Sequence, residues 1–138
     1  MNQDQILDAL AGLTLFSDLD RPALLAVAHT MPEESFPAGQ RLLRQGFSGG
    51  GFFVILEGEV AVRVDEAEVA TLRKGDFFGE ISLLLGEPPI ADVVAASTVH
   101  ALQLAGPDLR AFLLAYPPVM YRMLQAVSRR LDRANRRS

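Results

Sequence analysis

Between Phe36 and Ala105 the chain is cut into short apolar segments, each closed by glycine, proline or acidic turn residues. The enrichment of these segments in Val, Ile and Phe favours strands. In EVAVRVDEAEVATLRKGD, Val60, Val62 and Val64 alternate with Ala61 and Arg63, DEA turns the chain, and Val69 and Leu72 follow. That is a hairpin with one buried face. Further strands are expected at 40–45 (QRLLRQ), 52–56 (FFVIL), 92–97 (DVVAAS) and 99–104 (VHALQL). Six or more short strands at regular spacing confine the middle of the chain to a β-sandwich, jelly roll or roll.

The flanks read differently. Residues 4–16 and 19–31 carry apolar side chains at helical spacing, with Asp20 placed to cap a helix that has Pro22 in its first turn. After the strands, Gly106 and Pro107 suit the N-cap and first position of a helix, and Pro117 and Pro118 end it and begin another. In that last helix Met120, Leu124, Val127, Leu131 and Ala134 are spaced 4, 3, 4, 3, an a/d seam of just over two heptads. Such a seam either pairs two copies as a homodimer or docks the helix on its own β-domain. The expected architecture is mainly β with flanking helices, a single domain over 1–138. Helices take up about 4–31, a β-roll about 36–105, and two closing helices about 107–136; at 49% hydrophobic, 138 residues suffice for a core.

Zero cysteines removes disulfides, thiolate zinc sites, iron–sulfur clusters and a cysteine nucleophile. The longest apolar runs fall far short of the roughly 20 residues of a membrane span, so a cytoplasmic protein is expected. Residues 1–121 carry 7 basic and 16 acidic side chains and residues 122–138 carry 6 and 1, an acidic body with a basic tail that suits a solvated helix face. Catalytic signatures are missing: there is no G-x-S-x-G, P-loop or H-E-x-x-H, and Ser82 and Ser128 have no His and Asp pattern around them. His29 and His100 lie 71 residues apart, too few and too scattered for a metal site. Glu80 with Asp92 is a candidate carboxylate pair, better suited to binding than to hydrolysis. The expectation is a protein without enzymatic activity, metal or cofactor.

Several motifs in unbroken order carry a resemblance. They are LF at 15–16, the spacing of Gly39, Arg44, Gln45 and Gly46, FFVILEGEVAV at 52–62, LRKGDFFGEISLLLGEP at 72–88, AxVVA at 91–95, and the closing FLLAYP and RRL. Together they resemble the cyclic nucleotide-binding domain family, whose best-known members are the cAMP receptor-type bacterial regulators. The resemblance implies a double-stranded β-helix (jelly-roll) β-roll with a regulatory, ligand-sensing role. It also implies that Gly79, Glu80, Ile81 and Ser82 begin a phosphate-binding cassette, in which backbone N–H groups meet the cyclic phosphate and Glu80 accepts from a ribose hydroxyl.

The sequence departs from that pattern after GEP. Pro89, Ile90, Ala91 and Asp92 stand where nucleotide-binding members carry an arginine, a small residue, Ala, and then Thr or Ser. Pro89 takes the place of an arginine whose planar fork donates two charge-assisted hydrogen bonds. Losing bonds worth roughly 1.5–3 kcal/mol each weakens binding about 100-fold or more. Asp92 replaces a hydroxyl donor with an acceptor that repels phosphate. Cyclic nucleotide (cAMP or cGMP) binding is therefore expected to be weakened or lost, unless Arg63, Arg73, Arg122 or Arg129 substitutes, and another small ligand is equally open. With the sequence ending at Ser138, no DNA-reading helices are expected. The alternative to a sensor is a ligand-free β-roll working as a dimerisation or protein-interaction module through residues 120–134.

Overall fold

The computed structural model describes residues 1–137, with side chains through Arg136. Helix α1 (Gln3–Ala11) begins with a reciprocal cap: the Asn2 side chain accepts the Gln5 N–H at 2.8 Å, and the Gln5 side chain accepts the Asn2 N–H at 2.9 Å. The helix expected over 4–16 stops at Gly12, and Thr14–Phe16 form a separate 3₁₀ turn that inserts Leu15 and Phe16 into the core. Helix α2 (Arg21–Thr30) starts as its residues dictate, with Asp20 accepting the Ala23 N–H at 3.0 Å and Pro22 in the first turn.

Eight strands follow: β1 (Glu33–Phe36), β2 (Arg41–Leu43), β3 (Gly51–Glu57), β4 (Val60–Val64), β5 (Ala67–Leu72), β6 (Phe77–Phe78), β7 (Asp92–Ala95) and β8 (Val99–Ala105). They pair antiparallel in two four-stranded sheets, ordered β1-β8-β3-β6 and β2-β7-β4-β5, the β-roll with flanking helices. The expected hairpin is β4 and β5, turned by Asp65 and Glu66 at φ of 51° and 70°, the mirror-image turn that matches strand twist. The strand expected at 40–45 contracts to three residues beside a register shift. Strands β1 and β6 escape a periodicity search, because one is a polar edge strand and the other is two residues long.

FFVIL is apolar throughout because both of its faces are covered. Phe52, Val54 and Leu56 pack with the helices, whereas Phe53 and Ile55 face the other sheet, and Phe53 stacks at 4.8 Å on Phe78 of the neighbouring strand β6. The chain closes with a 3₁₀ turn (Gly106–Asp108), α4 (Leu109–Ala115) and α5 (Pro117–Arg137). The inward face of α5 is Val119 and Met123, both buried, with Ala126 and Val127 partly covered. Of the expected seam, Val127 thus packs on the protein's own core, while Met120, Leu124, Leu131 and Ala134 are exposed. Among the described residues no helix is long and apolar enough to cross a membrane.

Candidate functional site

Strand β6 ends at Gly79, which holds a left-handed φ of 97° as the N-cap of a short helix, α3 (Glu80–Leu85). A Cβ at this position would overlap the carbonyl oxygen of Gly51 on β3, so glycine is the residue that lets the chain turn here. The turn drives Glu80 inward. It also sets α3 against the β4–β5 hairpin, and between them lies a cavity of about 250 Å³.

The walls of this cavity are aliphatic, with Val62, Val64, Val69 and Leu72 from the hairpin and Pro89 and Ile90 from the loop after α3. Among the described residues that line it, the polar side chains are Glu80, Ser82 and Arg130. The Ser82 hydroxyl donates back to the Gly79 carbonyl at 3.4 Å. Glu80 is 3% exposed. Its Oε1 receives a hydrogen bond from the Arg130 guanidinium at 2.9 Å, while its Oε2 is buried with no hydrogen-bond partner among the described residues. Arg130 has a second anchor: it donates to the Phe77 carbonyl at 2.8 Å and lies 4.4 Å above the centre of the Phe77 ring. Burial raises the Glu80 pKa above the ordinary glutamate value, and the attraction of Arg130 and a bond from its own backbone N–H offset this only in part.

The structure brings Gly79, Glu80, Ile81, Ser82, Pro89, Ile90 and Ala91 together around the cavity. Asp92 is turned away from it. Its Oδ1 accepts the Gln45 N–H at 2.7 Å and its Oδ2 lies 4.0 Å from Arg41. Gln45 in turn exchanges two 2.9 Å hydrogen bonds with Asp65 at the hairpin turn, so Asp92 ties the loop after β2 to the sheet instead of facing a ligand. The expected clash of Asp92 with a phosphate therefore has no geometric basis here, whereas Pro89 lines the cavity as anticipated.

None of the four arginines considered as substitutes lines the cavity. Arg122 makes a two-pronged bond to Asp18 at 2.8 and 3.0 Å, which holds that carboxyl below its ordinary range, and Arg73 lies 3.5 Å from Glu59. The cation that does reach the site, Arg130, was missed. The signal was available: Arg130 is seven residues beyond Met123 and eleven beyond Val119, on the helical stripe that faces inward. The candidate ligands of a metal do not converge. His100 Nδ1 lies 2.8 Å from Glu33 and 3.0 Å from Ser35 on the β1–β8 pair, and among the described residues no three His, Asp or Glu side chains are grouped to hold a metal ion.

A family profile described as the cyclic nucleotide-binding domain matches residues 33–116. The cAMP-dependent protein kinase type II regulatory subunit of Drosophila melanogaster is 31% identical over 121 residues, which cover 85% of this chain and 31% of that protein. The chain thus spans about a third of the length of this curated relative. Among solved structures, the regulatory subunit of a cAMP-independent protein kinase A from Trypanosoma brucei superposes with a TM-score of 0.78 at 29% identity, covering 91% of this chain and 45% of that one. The corresponding subunit from Trypanosoma cruzi, bound to guanosine, gives 0.71 at 28% identity over 84% of this chain and 42% of that one.

Proposed function

The chain belongs to the cyclic nucleotide-binding domain family, and on that premise we propose that it is a regulatory ligand-sensing module whose response travels through α5. One observation carries this reading: Arg130 on α5 is bonded to Glu80 inside the cavity, so a ligand that engages Glu80 also changes what holds the closing helix. A ligand that favours one position of α5 over another shifts its population by the difference in affinity. The role is regulatory and not catalytic.

The grip on a cyclic phosphate is weak in this reading, because Pro89 offers no donor and Arg130, the guanidinium that lines the cavity among the described residues, already donates to Glu80 and to the Phe77 carbonyl. The relatives support treating cAMP affinity as a local property of the site. One is named cAMP-dependent and another, at similar identity, cAMP-independent. Isothermal titration with cAMP and cGMP up to millimolar concentration, with AMP as control, tests it. Weak or absent binding is expected, and Pro89→Arg should tighten cAMP binding by about 100-fold. Wild-type binding below about 1 μM, or no response to Pro89→Arg, would sink the weakened-grip reading.

A second reading has its own support. Met120, Tyr121, Leu124 and Leu131 leave an exposed apolar stripe on α5, with Leu124 and Leu131 each 61% exposed. A homodimer through that stripe would make α5 an interaction surface.

A further inference from the structure

Arg130 also lines a second cavity, of about 450 Å³, between α5, the turn after α1 and the turn that joins β5 to β6. Its cations are Lys74 on that last turn and Arg122, Arg129, Arg130 and Arg133 on α5. Among the described residues that line it, Asp76 is the one carboxylate, and its Oδ2 accepts the Arg73 N–H at 2.9 Å. Two of the cations are neutralised, Arg122 by Asp18 and Arg130 by Glu80. Lys74, Arg129 and Arg133 are exposed and make no hydrogen bond or ion pair among the described residues. The acidic residue of the basic tail, Asp132, does not serve them, because it is bonded to Arg136 at 3.1 Å.

Crowding positive charge in this way has a cost. Arg129 and Arg133 are four residues apart on one helix, a spacing that sets their Cβ atoms about 5–6 Å apart and at which like charges destabilise. A solvated helix face accounts for Arg136, which already has its carboxylate. It does not account for Lys74, which reaches the same cavity from a different element. Guanidinium forks match phosphate oxygens in pairs, and a lysine ammonium adds a point charge. Three unpaired cations against one carboxylate suit a ligand with several negative charges. The cavity's size falls within the roughly 300–1,000 Å³ usual for small-molecule sites, and turns bound it opposite the helix, which favours a compact ligand over an extended chain. We propose that this cavity binds a compact anion with two or more linked phosphate groups, held between Lys74 on one wall and Arg129 and Arg133 on the other. It is separate from the cavity beside α3 and does not rest on the sensing reading.

The test is calorimetric titration of the wild-type protein at low ionic strength with inorganic phosphate, pyrophosphate and tripolyphosphate. Affinity should rise along that series, with tripolyphosphate bound about tenfold or more tighter than phosphate, and should fall as salt is added. Lys74→Gln and Arg129→Gln should each weaken tripolyphosphate binding about tenfold, the loss expected for one hydrogen bond between charged groups. Both side chains are exposed, so the melting temperature should not change. Arg136→Gln, outside the cavity, should leave binding as it is. Two further arms identify the source of the phosphates. ATP binding with no binding to vesicles containing phosphatidylinositol bisphosphate assigns a soluble ligand, and vesicle binding abolished by Lys74→Gln assigns a lipid headgroup; either supports the site. Equal losses from Lys74→Gln and Arg136→Gln would reduce the effect to diffuse charge on the tail and overturn the proposal. Tighter binding of a hexaglutamate peptide than of tripolyphosphate overturns the phosphate class, and silence from every phosphate compound at millimolar concentration overturns the site.

Discussion

Glu80 is a structural group as well as a candidate ligand contact, since its Oε1 anchors Arg130 while Oε2 is buried with no hydrogen-bond partner among the described residues. Removing the side chain to probe a ligand therefore also removes a tether on α5, which sequence reading alone, taking Glu80 as a ligand contact, does not anticipate. Its titration offers a cleaner probe. Because burial raises its pKa above the ordinary 4.5, the folded protein binds this proton more tightly than the unfolded chain. The linked stability is fully present below about pH 4.5 and is lost as pH rises through the raised native value. Glu80→Gln has no such titration, so the melting temperature of the wild type relative to the variant should fall as pH rises from 4.5 toward neutrality. A difference independent of pH would contradict the buried-carboxylate account. At the neighbouring position, Gly79→Ala must place a methyl against the Gly51 carbonyl from a left-handed backbone. A loss of roughly 1–3 kcal/mol or more is expected, read from urea midpoints. An unchanged midpoint would mean that β3 gives way freely.

Helix α5 is held at three places along its length. Val119 and Met123 bury its first turns, Arg122 reaches Asp18, and Arg130 enters the cavity. The Asp18 pair is largely solvated and contributes little, as exposed pairs do, whereas Arg130 partners a carboxylate that is 3% exposed. Arg130→Met keeps the apolar stem but leaves Glu80 without its cation. The expected loss is roughly 3–5 kcal/mol near neutral pH, smaller in acid where Glu80 takes up a proton. Hydrogen exchange should show where the tether acts: amides after about Met123 should lose protection, while those on the buried first turns should keep it. Equal protection along α5 in wild type and variant would remove Arg130 as the link between cavity and helix.

At the scale of the whole molecule, the question is whether the exposed stripe of α5 meets a second copy. Leu124→Glu places a charge in the middle of that stripe at a side chain that makes no core contact. The wild type should sediment as a dimer and the variant as a monomer of unchanged thermal stability. A monomeric wild type would refute the seam and leave α5 as the helix that closes its own β-roll.

The β4–β5 hairpin, the cap at Asp20, the proline break before α5 and the ordered glycine motifs were all legible in the chain, because each depends on near neighbours: pleat, dihedral freedom or a capping oxygen. So were seven of the residues around the cavity, since Gly79 to Ser82 and Pro89 to Ala91 lie within one short stretch. The direction of Asp92 and the arrival of Arg130 were not. Asp92 turns to an N–H 47 residues away and Arg130 to a carboxylate 50 residues away, and such pairings are chosen by how the sheets and the last helix pack. Sequence by itself determined the β-roll with flanking helices and the family to which it belongs. Only the tertiary structure decided the charge inside the cavity beside α3, because the electrostatics of a buried site depend on which distant side chains the fold carries into it.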